Sequence, residues 1–491
     1  MRIPTYHLPG LSELPGHATA LAEGIELEYA ELTPQRLAGA LDAVLAARVA
    51  PGGERSTTEV IDALARAGDV WQRNGSPWAA QARSLLPLTA GLSPAMIGAT
   101  LPAVFTLLTR EALHTFVESE LGNAGALDDF VASPGGRRRA VGPALVAYVS
   151  AGNIPGLAVP GIVAGLLAKA AVFVKASAGD PVLPALLARS LAEIDGSLAS
   201  RLAVACWPGG TSELDDVLLA RADVVVVEGH DETVAALASR ARGRVLGFGH
   251  RVSLAVIARD APGDIGTVAE ALARDVGLFD QHGCLSPQVV YVEAGGVHDA
   301  AGIATALGQA LARLDGTLPR GPLAPEEAAA IRRFREEAEW RAVGDDGVRV
   351  SGSAASTGAT VVFDPDPRFV PTCANRTVWV KPLERIDDLP RRLGPWSTRL
   401  EAVGVASTRA GMRRLAELLA TTSTVSRVCA IGRMQEPAPG WRRGGMPRLG
   451  ALVRWVEIEE PAPSAIGVPR KPSKDGATVG ISRTRRPRSR A

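Results

Sequence analysis

The feature that most constrains this chain is a rhythm between residues 144 and 257. Runs that are apolar along their whole length, at 144–149, 171–175, 202–206, 222–227 and 252–257, alternate with helical stretches near 156–169, 181–194, 212–220 and 231–242. A strand with one wet face shows a polar residue at every second position. Strands without them are buried on both faces, which requires a parallel sheet with helices above and below. The expectation is a doubly wound α/β unit. One part of it, Val141 to Ala168, carries no charged residue and exceeds the roughly 20 residues of a membrane-spanning helix. Pro143, Gly152, Pro155, Gly156, Pro160 and Gly161 divide that part into strand, turn and buried helix, so no membrane span is expected.

With 491 residues the chain has room for two to four domains of about 100–200 residues each. Residues 1–127 read as mainly helical. Thr33-Pro34 is an N-cap followed by proline at the first helical position, Pro51-Gly52-Gly53 stops that helix, and Ser93-Pro94 opens another. In 128–143 a Pro-Gly-Gly turn between short arms reads as a projecting hairpin. After the sheet unit, assigned to 144–252, a second α/β segment at 253–435 carries strands at 288–293, 360–363 and 376–381. Its helices are expected at 264–277, 299–313, 324–341 and 408–420. From 463 to 491 Pro, Ser, Gly and Arg without apolar periodicity indicate a disordered tail.

Lys+Arg total 53 and Asp+Glu 52, a net charge of +1 that points to no polyanion. The balance is uneven, because from Pro463 onward eight basic residues stand against the single acid Asp475. That tail leaves open a non-enzymatic scaffold that binds polyanions through flexible arginines, although a basic terminus can also do no more than solvate itself. Cys206, Cys284, Cys373 and Cys429 lie far apart with neither CxxC nor Cys/His ligand spacing. No metal site and no disulfide framework is expected, and a reducing cytoplasmic location is the simplest. The start, Met1-Arg-Ile-Pro-Thr-Tyr-His, lacks the charged-then-apolar pattern of a secretory signal.

The dinucleotide fingerprint G-x-G-x-x-G is absent, since the first strand-to-helix turn reads Ser150-Ala151-Gly152-Asn153-Ile154-Pro155-Gly156. A parallel sheet can still take a nucleotide at its carboxyl edge. Lys175, one of only five lysines, ends the second strand. Its ammonium suits a ribose hydroxyl or a phosphate, and equally a solvated strand end. Cys284 lies in a polar, Gly/Pro-punctuated loop, Phe279-Asp280-Gln281-His282-Gly283-Cys284-Leu285-Ser286-Pro287-Gln288. A free cysteine is ordinarily a small buried hydrophobe, but such a loop is where nucleophilic thiolates sit. His282 is a candidate partner whose ring can also point away, and Asp280 reads as a turn residue or a helix cap.

Five segments taken together carry a resemblance: Ala151-Gly-Asn-Ile-Pro-Gly, Val172-Phe-Val-Lys-Ala-Ser, Asp280-Gln-His-Gly-Cys-Leu-Ser-Pro-Gln, Asn375-Arg-Thr-Val-Trp-Val-Lys-Pro-Leu and Met446-Pro-Arg-Leu-Gly-Ala-Leu-Val-Arg-Trp-Val-Glu. Through them residues 130–460 resemble the fatty acyl-CoA reductases of bacterial bioluminescence, a branch of the aldehyde dehydrogenase superfamily. The resemblance implies an aldehyde dehydrogenase-like α/β fold: a doubly wound parallel cofactor-binding sheet, a second α/β catalytic domain, and a small oligomerisation hairpin in which 128–143 meets 446–460. It also implies site residues. Cys284 is the nucleophile, Asn153 and the Cys284 backbone N–H form the oxyanion hole, and Lys175 with Ser177 holds the adenosine ribose. Glu228-Gly229-His230 is the turn facing the pyrophosphate, with Thr233 opening the next helix.

The implied activity is NADPH-dependent reduction of a fatty acyl-CoA, or another acyl thioester, to the aldehyde through an acyl-cysteine, in a homo-oligomer with no nucleic-acid partner. Aldehyde-oxidising members of the superfamily carry a water-activating glutamate where this chain reads Leu246-Gly247-Phe248-Gly249-His250-Arg251, which disfavours the alternative of a water-dependent aldehyde dehydrogenase. Ala374-Asn375-Arg376 stands where another glutamate often meets the nicotinamide ribose, so that contact is unassigned. NAD-restricted members often place a glutamate three residues after the ribose lysine. Here the position is Ala178, which leaves Lys175 free for a 2′-phosphate, while Asp180 could partly restore the repulsion.

Overall fold

The structure, a computed structural model, describes residues 1–11, 15–50, 55–344, 346–351 and 358–459. The tail expected at 463–491 and the Pro51-Gly52-Gly53 stop lie outside the described residues. The chain opens with strands: β1 (Arg2–Pro4), β2 (Gly16–Ala22) and β3 (Ile25–Ala30) form a sheet of order β1-β3-β2. This corrects the helical reading of the first 30 residues. β1 is too short, and β2 too evenly exposed, to show a period of two. Beyond them the capping signals hold. The Thr33 side chain accepts from the Arg36 N–H at 3.2 Å, and Ser93 from the Met96 N–H at 3.1 Å.

The segment 128–143 forms the hairpin β4 (Val131–Ser133) and β5 (Gly136–Val141). Next come five parallel strands, β6 (Leu145–Val149), β7 (Ala171–Ala176), β8 (Leu202–Cys206), β9 (Val224–Glu228) and β10 (Arg244–Phe248), in the order β10-β9-β6-β7-β8. Helices Ala158–Leu167 and Leu183–Ile194 cover one face, and Pro34–Val49 and Ser212–Arg221 the other. The chain builds outward from β6 to β8, returns, and places β9 on the opposite side of β6. A crevice therefore opens above the carboxyl ends of β6 and β9. Its walls are the turns holding Asn153 and Gly229.

The fifth strand of this sheet is 244–248, which the rhythm missed. The run at 252–257 belongs elsewhere. As β11 (Val252–Ile257) it sits inside a seven-stranded sheet with β12 (Pro287–Glu293), β13 (Arg349–Ser351), β14 (Thr360–Phe363), β15 (Thr377–Leu383), β16 (Leu400–Ala406) and β17 (Arg427–Ala430), in the order β13-β14-β15-β12-β11-β16-β17. Only Gly249, His250 and Arg251 separate β10 from β11, so the chain passes between sheets in three residues. Apolar cores lie on both faces. One is closed by helices Ile265–Gly277 and Ala300–Thr317, the other by Pro325–Val343 and Arg409–Thr422. Finally β18 (Arg454–Glu459) pairs antiparallel with β5, Trp455 opposite Ala140. Hairpin and late strand thus make one three-stranded sheet, with Arg138 over the Trp455 ring at 4.4 Å. Among the described residues no single helix is long and apolar enough to cross a membrane.

Candidate active site

Cys284 stands at the amino end of β12, on a loop that is locked rather than free. Phe279, Asp280 and Gln281 take φ of 55°, 50° and 66°. Facing them, Ala374, Asn375 and Arg376 take 57°, 56° and 60°. Left-handed backbone costs a non-glycine residue roughly 1–2 kcal/mol, so two such runs persist only if the surroundings over-determine them. They brace each other. The buried Arg376 guanidinium pairs with buried Asp280 at 2.7 Å and also reaches Asp315 and the Leu318 carbonyl, each at 2.9 Å. Gln281 accepts from the Thr377 N–H at 2.8 Å and donates to the Thr377 and Pro287 carbonyls. Asp280 is therefore neither a simple turn residue nor a helix cap, but half of a buried ion pair.

The same braces orient the cysteine's neighbours. His282 turns its ring to Asn375 Oδ1 at 3.0 Å and Glu327 at 3.6 Å, so it is engaged away from the thiol. The Asn153 amide, from the crevice of the five-stranded sheet, donates to the His282 carbonyl at 2.7 Å and ties the two sheets together beside Cys284. Its second N–H donor makes no other bond among the described residues, and the Cys284 backbone N–H reaches no group there beyond its own side chain. Ser253 on β11 holds the Cys284 carbonyl at 2.6 Å. On the far side Gln435 donates to Ser286 at 2.9 Å. Its segment is anchored by buried Asp275, which accepts from the Gly432 and Met434 N–H groups and whose carboxyl burial pushes up to about 7.

Cys284 opens onto a cavity of about 620 Å³, walled largely by apolar side chains such as Val104, Ile154, Leu157, Val226, Leu246 and Trp441. This volume lies within the roughly 300–1,000 Å³ of small-molecule sites. Small residues open it: a β-carbon on Gly161 would run into the Tyr148 ring, and one on Gly156, whose φ is +85°, into Val104. Polar groups reach it too. Buried Glu228, at the end of β9, pairs with Arg443, whose guanidinium lies over the Phe248 ring at 5.2 Å. The segment 246–251 carries no carboxylate, but Glu228 comes to the cavity from the adjacent strand, opposite Phe248 in the register. Neither Glu228 as a cavity wall nor Arg443 was identifiable as a site residue, because the 200 or so residues between them give no local pattern. Burial pushes the Cys284 thiol above its ordinary value. Arg443 pulls it back, while Glu401 and Glu228 push it further up.

At the opposite edge of the crevice the arrangement is looser. Lys175, expected to be free, is buried, 3.1 Å from Asp215 and over the Trp207 ring at 5.1 Å. The pairing was hidden because Asp215 comes from a helix 40 residues on. Ser177 packs against Gly152, where a β-carbon would strike both Ser177 and Gly179. Ala178 is exposed. Asp180 turns inward, accepting from the Gly156 N–H at 2.8 Å, and burial raises its carboxyl to about 6. The Gly229 N–H is taken by the Phe248 carbonyl at 3.2 Å. His230, not Thr233, precedes the helix Asp231–Ala238. Its side chain makes no capping bond, and Thr233 lies exposed within the first turn.

Comparison with known proteins bears on this geometry. Residues 53–455 match the family described as acyl-CoA reductase (LuxC). Among curated relatives, the long-chain acyl-protein thioester reductase of Vibrio harveyi is 25% identical over 411 residues, covering 82% of each chain. The one from Aliivibrio fischeri is 26% identical over 361 residues, 72% of each. Among solved structures, aldehyde dehydrogenase 21 of Physcomitrella patens superposes with a TM-score of 0.71 at 12% identity, over 93% of this chain and 98% of that one. A Mycobacterium tuberculosis aldehyde dehydrogenase complexed with NAD+ gives 0.68 at 16% identity, over 93% and 97%. The fold is that of the aldehyde dehydrogenases.

Proposed function

The chain belongs to the acyl-CoA reductase (LuxC) family, and on that premise we propose that it reduces a fatty acyl-CoA to the aldehyde with NADPH, Cys284 carrying the acyl group between the two half-reactions. The observation that carries the reading is that Cys284 opens onto an apolar cavity while the Asn153 amide reaches its loop at the His282 carbonyl, two residues before the thiol. The Cys284 sulfur forms a bond to the thioester carbonyl carbon and gives up its proton. The bond to the donor sulfur then breaks, and the donor leaves as a thiol, taking up a proton. Carbonyl oxygen becomes an oxyanion in passing, and the Asn153 amide with the Cys284 N–H supplies two donors for it. After reduction at the same carbon the Cys284 sulfur is released as a thiolate and the aldehyde departs. Overall, one acyl thioester, one reduced cofactor and one proton give one aldehyde, one thiol and one oxidised cofactor.

The reduced nicotinamide supplies the hydride when bound. This chain's residues fit such a cofactor. The first-turn N–H groups of Asp231–Ala238 carry no side-chain cap and can meet a pyrophosphate, with Asp231 offset by Arg399 and Glu232 opposing the charge. Lys175 and Ser177, the latter packed against Gly152, would hold the adenosine ribose. The preference for NADPH rests on exposed Ala178 and on Asp180, which faces Gly156 rather than solvent. Because Lys175 already has a partner in Asp215, its gain on meeting a 2′-phosphate is reduced, and the preference is expected to be tenfold or less.

The test is NADPH oxidation driven by a series of saturated acyl-CoAs, with aldehyde measured as product. Each methylene added inside the cavity is worth up to about 0.8 kcal/mol, so kcat/KM should climb by up to about fourfold per carbon until the cavity is full. The curated relatives are named for acyl-protein thioesters, so an acyl group carried on a protein thiol is the second donor to compare. No oxidation with either donor, or an acid as product, would sink the reading.

A further inference from the structure

A half-buried thiol facing an apolar cavity that two carboxylates bear on needs a cation to become a nucleophile, and the nearby histidine does not supply it, since His282 is turned to Asn375 and Glu327. The charged groups bearing on Cys284 come from three other elements: Glu228 at the end of β9, Glu401 at the start of β16, and Arg443 on the segment between β17 and β18. Tyr148 on β6, Arg433, Glu436 and Arg448 share the cavity. Arg443 is built into place. Glu228 pairs with it, Phe248 lies beneath it, and the next residue, Gly444, donates its N–H to Glu401 at 2.9 Å. Gly444 and Gly445, at φ +57° and +77°, make the left-handed turn that sends the Arg443 side chain inward.

We propose that Arg443, held by Glu228 and Phe248 in the wall of the Cys284 cavity, is a positioning residue that stabilises the Cys284 thiolate through its charge. A guanidinium suits this task because it stays charged in an apolar wall and is weakly hydrated. Burial works against that charge, but Glu228, Cys284, Tyr148 and Glu401 outweigh it and hold Arg443 above its ordinary value. Glu228 has two effects: it keeps the guanidinium from being a buried, uncompensated charge, and its own field opposes the thiolate. Removing Arg443 and removing Glu228 must therefore move Cys284 in opposite directions, which a merely structural role for the pair would not do.

This inference rests on Cys284 being the nucleophile, and the experiment separates the two. Alkylation of the full-length chain by iodoacetamide is followed across pH, with Cys284 read by peptide mass spectrometry. In Arg443→Met the inflection should rise by about one pH unit, and in Glu228→Gln it should fall by a similar amount. Arg443→Lys should stay closer to wild type than Arg443→Met. If Arg443→Met is not recovered folded, Glu228→Gln decides alone. An unmoved inflection, or a rise in Glu228→Gln, overturns the inference. Protection of Cys284 by a saturating acyl thioester tests the underlying reading: no protection sinks Cys284 as nucleophile, whereas protection with unmoved inflections sinks the role of Arg443 only.

Discussion

The two loop clusters that meet at the crevice are built differently. On the seven-stranded side, the Cys284 loop is fixed by two facing left-handed runs, a buried Arg376–Asp280 pair and a glutamine spanning three backbone groups. On the five-stranded side, Ala178, His230 and Thr233 are exposed and Lys175 is engaged with Asp215. The difference teaches where precision resides: the thiol loop is preformed, while the proposed nucleotide side would rely on backbone groups and one shared lysine. Substitutions on the first side should cost stability and turnover, and those on the second should shift cofactor preference.

The largest expected effect is from Asp280→Asn. It leaves the buried Arg376 guanidinium with half-buried Asp315 as its remaining carboxylate, and losing the buried partner costs up to about 3–5 kcal/mol. Denaturant unfolding measures the loss, which should be accompanied by faster alkylation of Cys284 as the loop loosens; a loss below about 1 kcal/mol would mean the two runs do not depend on the pair. Next comes Asn153→Ala, which should lower kcat by about 10²–10³, as removal of an oxyanion donor does, with unfolding stability nearly unchanged. An effect confined to KM would show that the amide only bridges the sheets.

On the nucleotide side the effects shrink. Ala178→Glu should turn the cofactor ratio toward NADH by roughly tenfold, about 1.4 kcal/mol, read from initial rates with each cofactor. No shift would mean that this loop lies outside the 2′-phosphate site. A pH effect on stability marks each side separately. Asp275 braces the cysteine side with its carboxyl raised to about 7, and Asp180 the cofactor side with its own raised to about 6. A raised acid keeps its proton in the folded chain longer than in the unfolded one, so stability falls as pH rises from about 4 through those values. Asp180→Asn should lessen the decline below about pH 6, and Asp275→Asn should lessen it throughout and remove it above about pH 6. Parallel curves for the variants and the wild type would contradict the assignment.

What could be read in advance follows the same division. Strands buried on both faces announce themselves, so β6 to β9 were evident, and caps such as Thr33 and Ser93 act within three residues and were evident too. β10 escapes notice because charged Arg244 and Gly247 leave only Val245, Leu246 and Phe248 as its apolar residues, and β11 joins a different sheet because periodicity says nothing about which sheet a strand joins. Cys284 stood out by its loop. Its environment did not, since Arg443, Glu228 and Glu401 come from segments far apart in the chain, and Asp215 occupies Lys175 from a different helix. Long-range pairing of charges has no sequence period, so it was the electrostatics of the site that stayed hidden.

The central claim is that the acyl group passes through Cys284, and the most direct measurement is to trap it there. The full-length chain is incubated with an isotopically labelled fatty acyl-CoA without reduced cofactor, digested, and mapped by mass spectrometry, and a second sample is chased with NADPH. The expected result is one acyl group on Cys284, absent from Cys284→Ala, that disappears in the chase as an equal amount of labelled aldehyde forms. Acylation of Cys206, Cys373 or Cys429 instead, or release of the label as free acid, would contradict it.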